Sequence, residues 1–134
     1  MKKFFKSLVA IMLVAMTAIA FTSCGIPSDY KKAEANLKEE GYEVMVLTDA
    51  ITLGSAEALY GLERGDLVAS VTGMKDDDGV SIFYCADKDA ANTLYDKLKA
   101  EFDEADDEEK EDSDFGKSGK VVWAGTKAGV KAAK

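Results

Sequence analysis

The chain has 134 residues and a formal net charge of −8, with 25 acidic residues, 17 basic residues and no histidine. Its first 24 residues hold three lysines and no acid, so the rest carries 14 basic against 25 acidic residues, a net charge of −11. Such an acidic chain argues against nucleic-acid binding, which needs a basic face to neutralise phosphates. The absence of histidine removes the commonest general base at neutral pH and the commonest transition-metal ligand. We therefore expect neither an enzyme nor a cofactor-dependent protein.

The first 23 residues are predicted to form an export signal. Lys2, Lys3 and Lys6 precede an apolar run over residues 8–21. As a helix this run would be about 21 Å long, which is shorter than the roughly 30 Å hydrocarbon core of a bilayer, so a permanent membrane span is disfavoured. A basic start, a short apolar middle and small residues at the end are typical of a removable export peptide.

The end of this segment has a cysteine in a distinctive position. Phe21, Thr22 and Ser23 precede Cys24, and Gly25 follows it. This pattern resembles the lipobox of bacterial lipoproteins, in which small residues precede a cysteine that is acylated and becomes the mature N-terminus. The resemblance covers the leader alone. It implies that Cys24 carries fatty acyl chains such as palmitate, which would hold the protein at the extracytoplasmic face of the cell membrane.

A second processing route remains open. Residues 18–20 read Ala-Ile-Ala, a pattern that ordinary signal peptidase cleaves. Under this alternative the protein is secreted without a lipid, and Cys24 and Cys85 would pair, as expected in an oxidising compartment. If Cys24 is acylated, Cys85 has no cysteine with which to pair.

Residues 24–134 have the length and apolar content of a single small acidic domain. A helix is predicted over residues 28–40, with Ser28 as its N-cap and a glycine after its end. Residues 42–48 then form a strand that is apolar on both faces, which predicts a central position in a sheet.

The middle of the chain predicts a short helix and a hairpin. Within residues 49–64, Ser55 is the expected cap of a short helix. Residues 67–72 alternate between apolar and polar side chains, and residues 80–85 form a second strand. Together they predict a β-hairpin whose turn spans residues 73–79.

The C-terminal third begins with the clearest periodicity in the chain. Apolar residues recur every three or four positions over residues 87–105, which predicts a long helix. Residues 106–118 are strongly acidic and are predicted to be a solvated loop. Residues 120–124 form the last strand, and Thr126 caps a short basic helix that ends the chain.

The order of these elements predicts an α+β fold. It matches a ferredoxin-like β-α-β-β-α-β sheet with an added N-terminal helix and a short C-terminal helix. In that arrangement the first and third strands are central, the second is at an edge, and both crossovers are right-handed.

Three groups of residues were considered as sites. Residues 101–114 hold ten acids and one lysine but lack the oxygen spacing of a calcium loop. Residues 76–79, Asp-Asp-Asp-Gly, are explained by a hairpin turn. Cys85 ends an apolar strand without a neighbouring base, which predicts a buried thiol and not a nucleophile. No catalytic or metal-binding residue is therefore proposed.

The predicted function follows from the leader and the small acidic domain. We expect a lipid-anchored extracytoplasmic lipoprotein of the cell envelope, with a non-enzymatic domain that binds a protein or peptide. The alternative is a protein that binds a small molecule or a divalent cation.

The predicted processing can be tested by the intact mass of the protein extracted from membranes. We expect a chain that begins at Cys24 and carries the mass of a diacylglyceryl thioether. An unlipidated product in the culture fluid, or a chain that begins at Phe21, would contradict the lipoprotein assignment and favour the disulfide alternative.

Overall fold

A computed structural model describes residues 25–134 as a five-stranded antiparallel sheet with helices on both faces. The strands are β1 (Glu43–Leu47), β2 (Leu67–Lys75), β3 (Asp78–Cys85), β4 (Ser113–Ser118) and β5 (Val121–Thr126). The helices are α1 (Tyr30–Glu39), α2 (Ala50–Leu59), α3 (Lys88–Glu104), α4 (Asp107–Asp112) and α5 (Lys127–Ala133).

The predicted α+β class is confirmed, but the ferredoxin-like arrangement is not. The sheet order is β1-β2-β3-β5-β4, and every pairing is antiparallel. In a split β-α-β fold another strand lies between the two strands that a helix connects, whereas here β1 pairs directly with β2, and β3 pairs directly with β5, the strand predicted to follow the long helix. As predicted, β3 lies in the middle. The prediction was wrong for the other two strands, because β1 is at an edge and β2 is interior.

The composition of β1 explains this error. Val44 and Val46 pack against one hydrophobic cluster and Leu47 against another, so both faces of the strand carry apolar side chains. Met45, however, is 61% exposed. An edge strand that is covered on one face and only at one end of the other has the same apolar run as a central strand.

Each face of the sheet is covered by two helices. On the first, which we call the α1 face, the buried side chains come from α1, α5, β2, β3 and β5, and include Leu37, Val71, Ile82 and Val130. The second, the α3 face, buries side chains of α2, α3, β3 and β5, among them Leu53, Phe83, Leu94 and Val122. Residues of β3 belong to both clusters, so this strand is the centre of the core.

Two predicted helix starts are confirmed and two are displaced. Thr126 caps α5 as expected and α3 begins within the predicted residues 87–105, capped by Asp87, while α1 and α2 are capped by Asp29 and Asp49 instead of Ser28 and Ser55. Asp is as good an N-cap as Ser. The Asp29 carboxylate accepts a hydrogen bond from the Lys31 amide at 3.0 Å.

The prediction of a solvated loop over residues 106–118 was wrong, because the segment forms α4 and β4. Asp106 accepts a hydrogen bond from the Glu109 amide at 2.8 Å, and acidic residues in a first turn are favoured by the helix dipole. Phe115 anchors β4 by packing on Phe102 and Tyr95, with ring centroids 4.5 and 5.4 Å apart.

The predicted hairpin is confirmed, but its turn is shorter than expected. Lys75 pairs with Asp78, so the turn consists of residues 76–77, with Asp76 at a φ of 54°. Gly73 belongs to β2, and a Cβ there would lie 3.0 Å from a methyl group of Leu37. Gly73 is therefore explained by close helix packing and not by a turn.

Three glycines meet where β3, β5 and α5 converge, and we call them the glycine corner: Gly79, Gly125 and Gly129. A Cβ on Gly129 would lie 2.5 Å from the carbonyl oxygen of Gly79, and one on Gly125 would lie 2.7 Å from Cα of Val80. Real Cβ atoms do not approach backbone so closely. The close approach of α5 to the sheet therefore requires glycine at both positions.

The glycine corner predicts a large stability loss for Gly125→Ala. Because the new methyl group would meet backbone, the strands must shift, and we expect a loss of about 2–3 kcal/mol in the free energy of unfolding, measured by urea denaturation. The matched control is Gly54→Ala, inside α2, where a Cβ would lie 4.0 Å from Oε1 of Glu57. It should gain about 0.5–1 kcal/mol from helix propensity. Equal stabilities for the two variants would contradict the packing described here.

Candidate binding groove

The predicted lipidation residues Phe21, Thr22, Ser23 and Cys24 lie outside the described residues, as does the rest of the predicted export signal. Within residues 25–134, no helix combines the length and the apolar character needed to cross a bilayer.

The segment that follows Cys24 is packed on the domain. Ile26 is only 6% exposed and belongs to the cluster on the α1 face. The hydroxyl of Tyr84 donates a hydrogen bond to the carbonyl oxygen of Pro27 at 2.9 Å, and the Tyr84 ring contacts that of Tyr30 edge-on at 6.1 Å. The first described residues are therefore fixed near the end of β3, on the α1 face.

An open groove lies on the α3 face, near the beginning of β3. Its volume is about 380 Å³. One wall is the C-terminal half of α3, and the floor is formed by β3, β4 and β5. The lining residues are Gly79, Leu98, Glu101, Phe102, Ser113, Asp114, Phe115, Ala124, Gly125 and Thr126.

The groove exists because the sheet has small side chains beyond the part that α3 covers. Thr72, Ser81 and Ala124 lie directly opposite one another on β2, β3 and β5, and therefore share the α3 face. Nearer the other end of the same face, Phe83 and Val122 are large and buried under α3. The change from large to small residues leaves a depression where the helix leaves the sheet.

Aromatic rings form one side of this groove. They belong to an aromatic cluster in which lysine side chains of the protein already lie over two rings. Phe102 and Phe115 both line the groove, and Phe115 also stacks on Tyr95. Lys110 Nζ is 5.9 Å from the centre of the Phe102 ring, and Lys117 Nζ is 4.9 Å from that of Tyr95. These distances allow cation–π attraction.

The polar part of the lining is acidic. Glu101 supplies a carboxylate, whereas Asp114 borders the groove through β4 and, opposite Gly125, has its side chain on the α1 face. Burial, and after it the charge of Glu101, raises the pKa of the Tyr60 hydroxyl. The groove also lies beside the C-terminal half of α3, whose helix dipole ends in partial negative charge. The Glu101 carboxylate and the helix dipole both favour a cation over an anion in the groove.

A buried carboxyl group lies at the beginning of β3, at Asp78. Asp78 is 5% exposed, and its Oδ1 has no hydrogen-bond partner among the described residues. Burial, together with the charges of Asp77 and Asp76, raises its pKa, against the opposing hydrogen bond from Thr126. Burial is also the main cause that raises the pKa of Tyr42 to about 12, and Asp78 adds to it.

The predicted buried thiol is confirmed. Cys85 is 5% exposed, and burial, followed by the charges of Asp66 and Asp87, raises its pKa to about 11. Its sulfur is therefore protonated at neutral pH, and a neutral thiol is a poor nucleophile. The side chain lies in the cluster on the α3 face, whereas Ile26 packs on the α1 face.

A second depression, of about 470 Å³, lies along α2 and the loop that follows it. Glu57 is 3% exposed there, and its Oε2 accepts hydrogen bonds from the amides of Gly65 and Leu67 at 2.8 and 2.9 Å. This carboxylate is used to hold the loop before β2.

Nothing in residues 25–134 brings three or more Cys, Asp or Glu side chains together in a way that would hold a metal ion.

Sequence reasoning missed the groove. The acidic residues of 101–114 were noted, but the aromatic pair Phe102 and Phe115 meets only after β4 has paired with β5. The available signal was the group of small residues in three separate strands, which is visible as a surface only once their register is known.

Comparison of the chain with protein-family models, with curated proteins and with solved structures found no match in any of the three. The geometry of the residues themselves is therefore the basis of the functional argument.

The buried carboxyl group predicts a pH dependence. Because the folded state raises the pKa of Asp78, folding binds a proton between the unfolded and folded pKa values, and stability falls as pH rises through that window. We expect Asp78→Asn to raise the free energy of unfolding at pH 7 by about 1 kcal/mol, since an amide costs less to bury than a carboxylate.

This gain should disappear below the unfolded pKa of the carboxyl, where Asp78 is protonated in both states. Asp77→Asn, an equivalent change at an exposed neighbour, is the control and should leave stability nearly unchanged. Parallel stability curves of wild type and Asp78→Asn from pH 3 to 7 would contradict this explanation.

Proposed function

We propose that the protein is a lipoprotein anchored through Cys24 at the extracytoplasmic face of the cell membrane, and that its groove on the α3 face binds a protein partner without catalysing a reaction. The observation that carries the anchoring is the Phe21-Thr22-Ser23-Cys24 sequence at the end of an apolar leader. One acyl chain gives only reversible attachment, but a lipoprotein cysteine carries at least two, which is enough for stable residence.

The packing of Ile26 and Pro27 supports a short connection between the lipid and the domain. Both residues contact the α1 face within three positions of Cys24. A domain attached in this way would lie close to the bilayer surface. Its net charge of −11 from residue 25 onward would be repelled by anionic lipids, so the lipid alone would hold it there.

The position of the groove supports a role in binding something outside the membrane. It lies on the opposite face from the first described residues and at the other end of β3. From Tyr84 to Gly79 the strand spans about 17 Å at roughly 3.3 Å per residue. The groove would therefore open away from the anchored end of the domain and remain accessible to a partner.

The titratable groups support binding over catalysis. The one described cysteine has a raised pKa and is buried, and the chain contains no histidine. A small molecule is the second candidate ligand, because the groove volume falls in the range of small-ligand sites, about 300–1,000 Å³. A thermal-shift panel with calcium, magnesium and common metabolites tests it, since a ligand at 100 times its Kd stabilises by about 2.7 kcal/mol.

The proposed anchor predicts a difference between the two cysteines. Labelled palmitate fed to cells should enter the wild-type protein and Cys85→Ser, whereas Cys24→Ser should remain unlabelled. Cys85→Ser is the matched control because it removes the only other thiol while leaving the leader intact. Label in Cys24→Ser, or none in the wild type, would overturn the anchoring.

The proposed binding function is tested separately by crosslinking intact cells and purifying the protein from their membranes. We expect a defined partner polypeptide that is lost when Ala124→Leu fills the floor of the groove. Recovery of the same partner with wild type and Ala124→Leu would show that the groove is not the binding surface.

A further inference from the structure

We propose that the groove on the α3 face takes a lysine or arginine side chain of the partner polypeptide, with its cationic group beside Glu101 and its methylene stem on Phe102 and Phe115. This inference rests on the proposed binding function, and it names the chemistry of the partner that the groove selects.

The negative charge around the groove favours a cationic ligand. Glu101 lines the groove, and the cavity borders the C-terminal half of α3, where the helix dipole adds negative potential. The following helix, α4, carries five further acids against one lysine. A lysine or arginine entering here would meet acceptors that form charge-assisted hydrogen bonds, which are about twice as strong as neutral ones.

The apolar lining of the groove favours a cation that carries a hydrocarbon stem. Leu98, Phe102, Phe115 and Ala124 contribute hydrocarbon surface beside the Glu101 carboxylate. Lysine and arginine are the side chains that combine an apolar stem with a charged end, so they can cover such a surface and still present a cation to the rim. A small inorganic cation would leave this hydrocarbon uncovered.

The aromatic cluster already attracts lysine side chains of the protein itself. Lys110 lies over Phe102 and Lys117 over Tyr95 at cation–π distances, and Phe115 packs between these two rings. The rings that line the groove thus belong to a cluster that already attracts lysine side chains. A cation from a partner would add to an interaction that the fold itself uses.

The surface beside the groove favours a polypeptide over a free amine. A row of directly opposed residues crosses all five strands on the α3 face: Met45, Thr72, Ser81, Ala124 and Phe115. At about 4.8 Å per strand, this row spans roughly 19 Å, from Phe115 in the groove to Met45 on the edge strand β1. Met45 and Met74 are each 61% exposed there, and would contact apolar residues that flank the cation.

The test is isothermal calorimetry with the full mature protein, purified from membranes in a neutral detergent. The probe is acetyl-Ala-Leu-Arg-Leu-Ala-amide, and the matched peptide replaces arginine with citrulline, which has nearly the same shape but no charge. We expect binding of the arginine peptide that weakens with added salt, and binding of the citrulline peptide that is at least about tenfold weaker.

Two variants place the binding in the groove. Glu101→Gln removes one lining carboxylate and should weaken binding by about tenfold, which corresponds to about 1.4 kcal/mol. Glu104→Gln is the control, because Glu104 is exposed on the same helix but does not line the groove. Ala124→Leu, which fills the floor, should weaken binding without removing a charge. Circular dichroism would confirm that each variant is folded.

Several results would overturn the proposal. These are equal binding of the arginine and citrulline peptides, equal binding by wild type and both groove variants, and an equal loss in Glu104→Gln. Binding of agmatine, a free guanidinium compound, as tight as that of the peptide would assign the groove to small amines. If no cationic peptide binds but crosslinking still captures a partner that Ala124→Leu loses, the binding function stands and the cationic partner chemistry is wrong.

Discussion

The glycine corner is the packing constraint on which the arrangement of the domain depends. Because Gly125 and Gly129 have no Cβ, the end of β5 and the first turn of α5 approach the backbone of β3 at Gly79. This approach lets α5 cover the α1 face directly after the last strand, capped by Thr126. A larger residue at either position would push α5 from the sheet and open the core of that face.

The same corner shapes the α3 face. Gly79, Gly125 and Thr126 line the groove, so the residues that admit α5 on one side of the sheet also leave space on the other. The first described residues pack near the opposite end of β3. The first described residues and the groove are thus separated by the sheet and by most of the length of its central strand, which is the geometry that the proposed anchoring and binding need.

The sequence predicted those elements whose signals are local. The periodicity of α3, the hairpin of β2 and β3, and the Thr126 cap each depend on residues within a few positions of one another, and all three are found. The position of β1 and the strand β4 were missed. An apolar strand has the same sequence pattern at the edge of a sheet as in its centre. The strand β4 is held by Phe115, whose partner Phe102 lies on another element. The groove depends on the register of the strands, so it could not be predicted from the sequence either.

The most direct test of the account is an NMR titration of the isotopically labelled mature protein with the arginine peptide. If the peptide binds in the groove, the amide signals that move most belong to Gly79, Ala124, Gly125 and Thr126, while those near Tyr84 stay fixed. Perturbations centred on the depression beside α2, or on the α1 face around Ile26, would contradict the placement of the binding surface. An absence of perturbation at saturating peptide would contradict its chemistry.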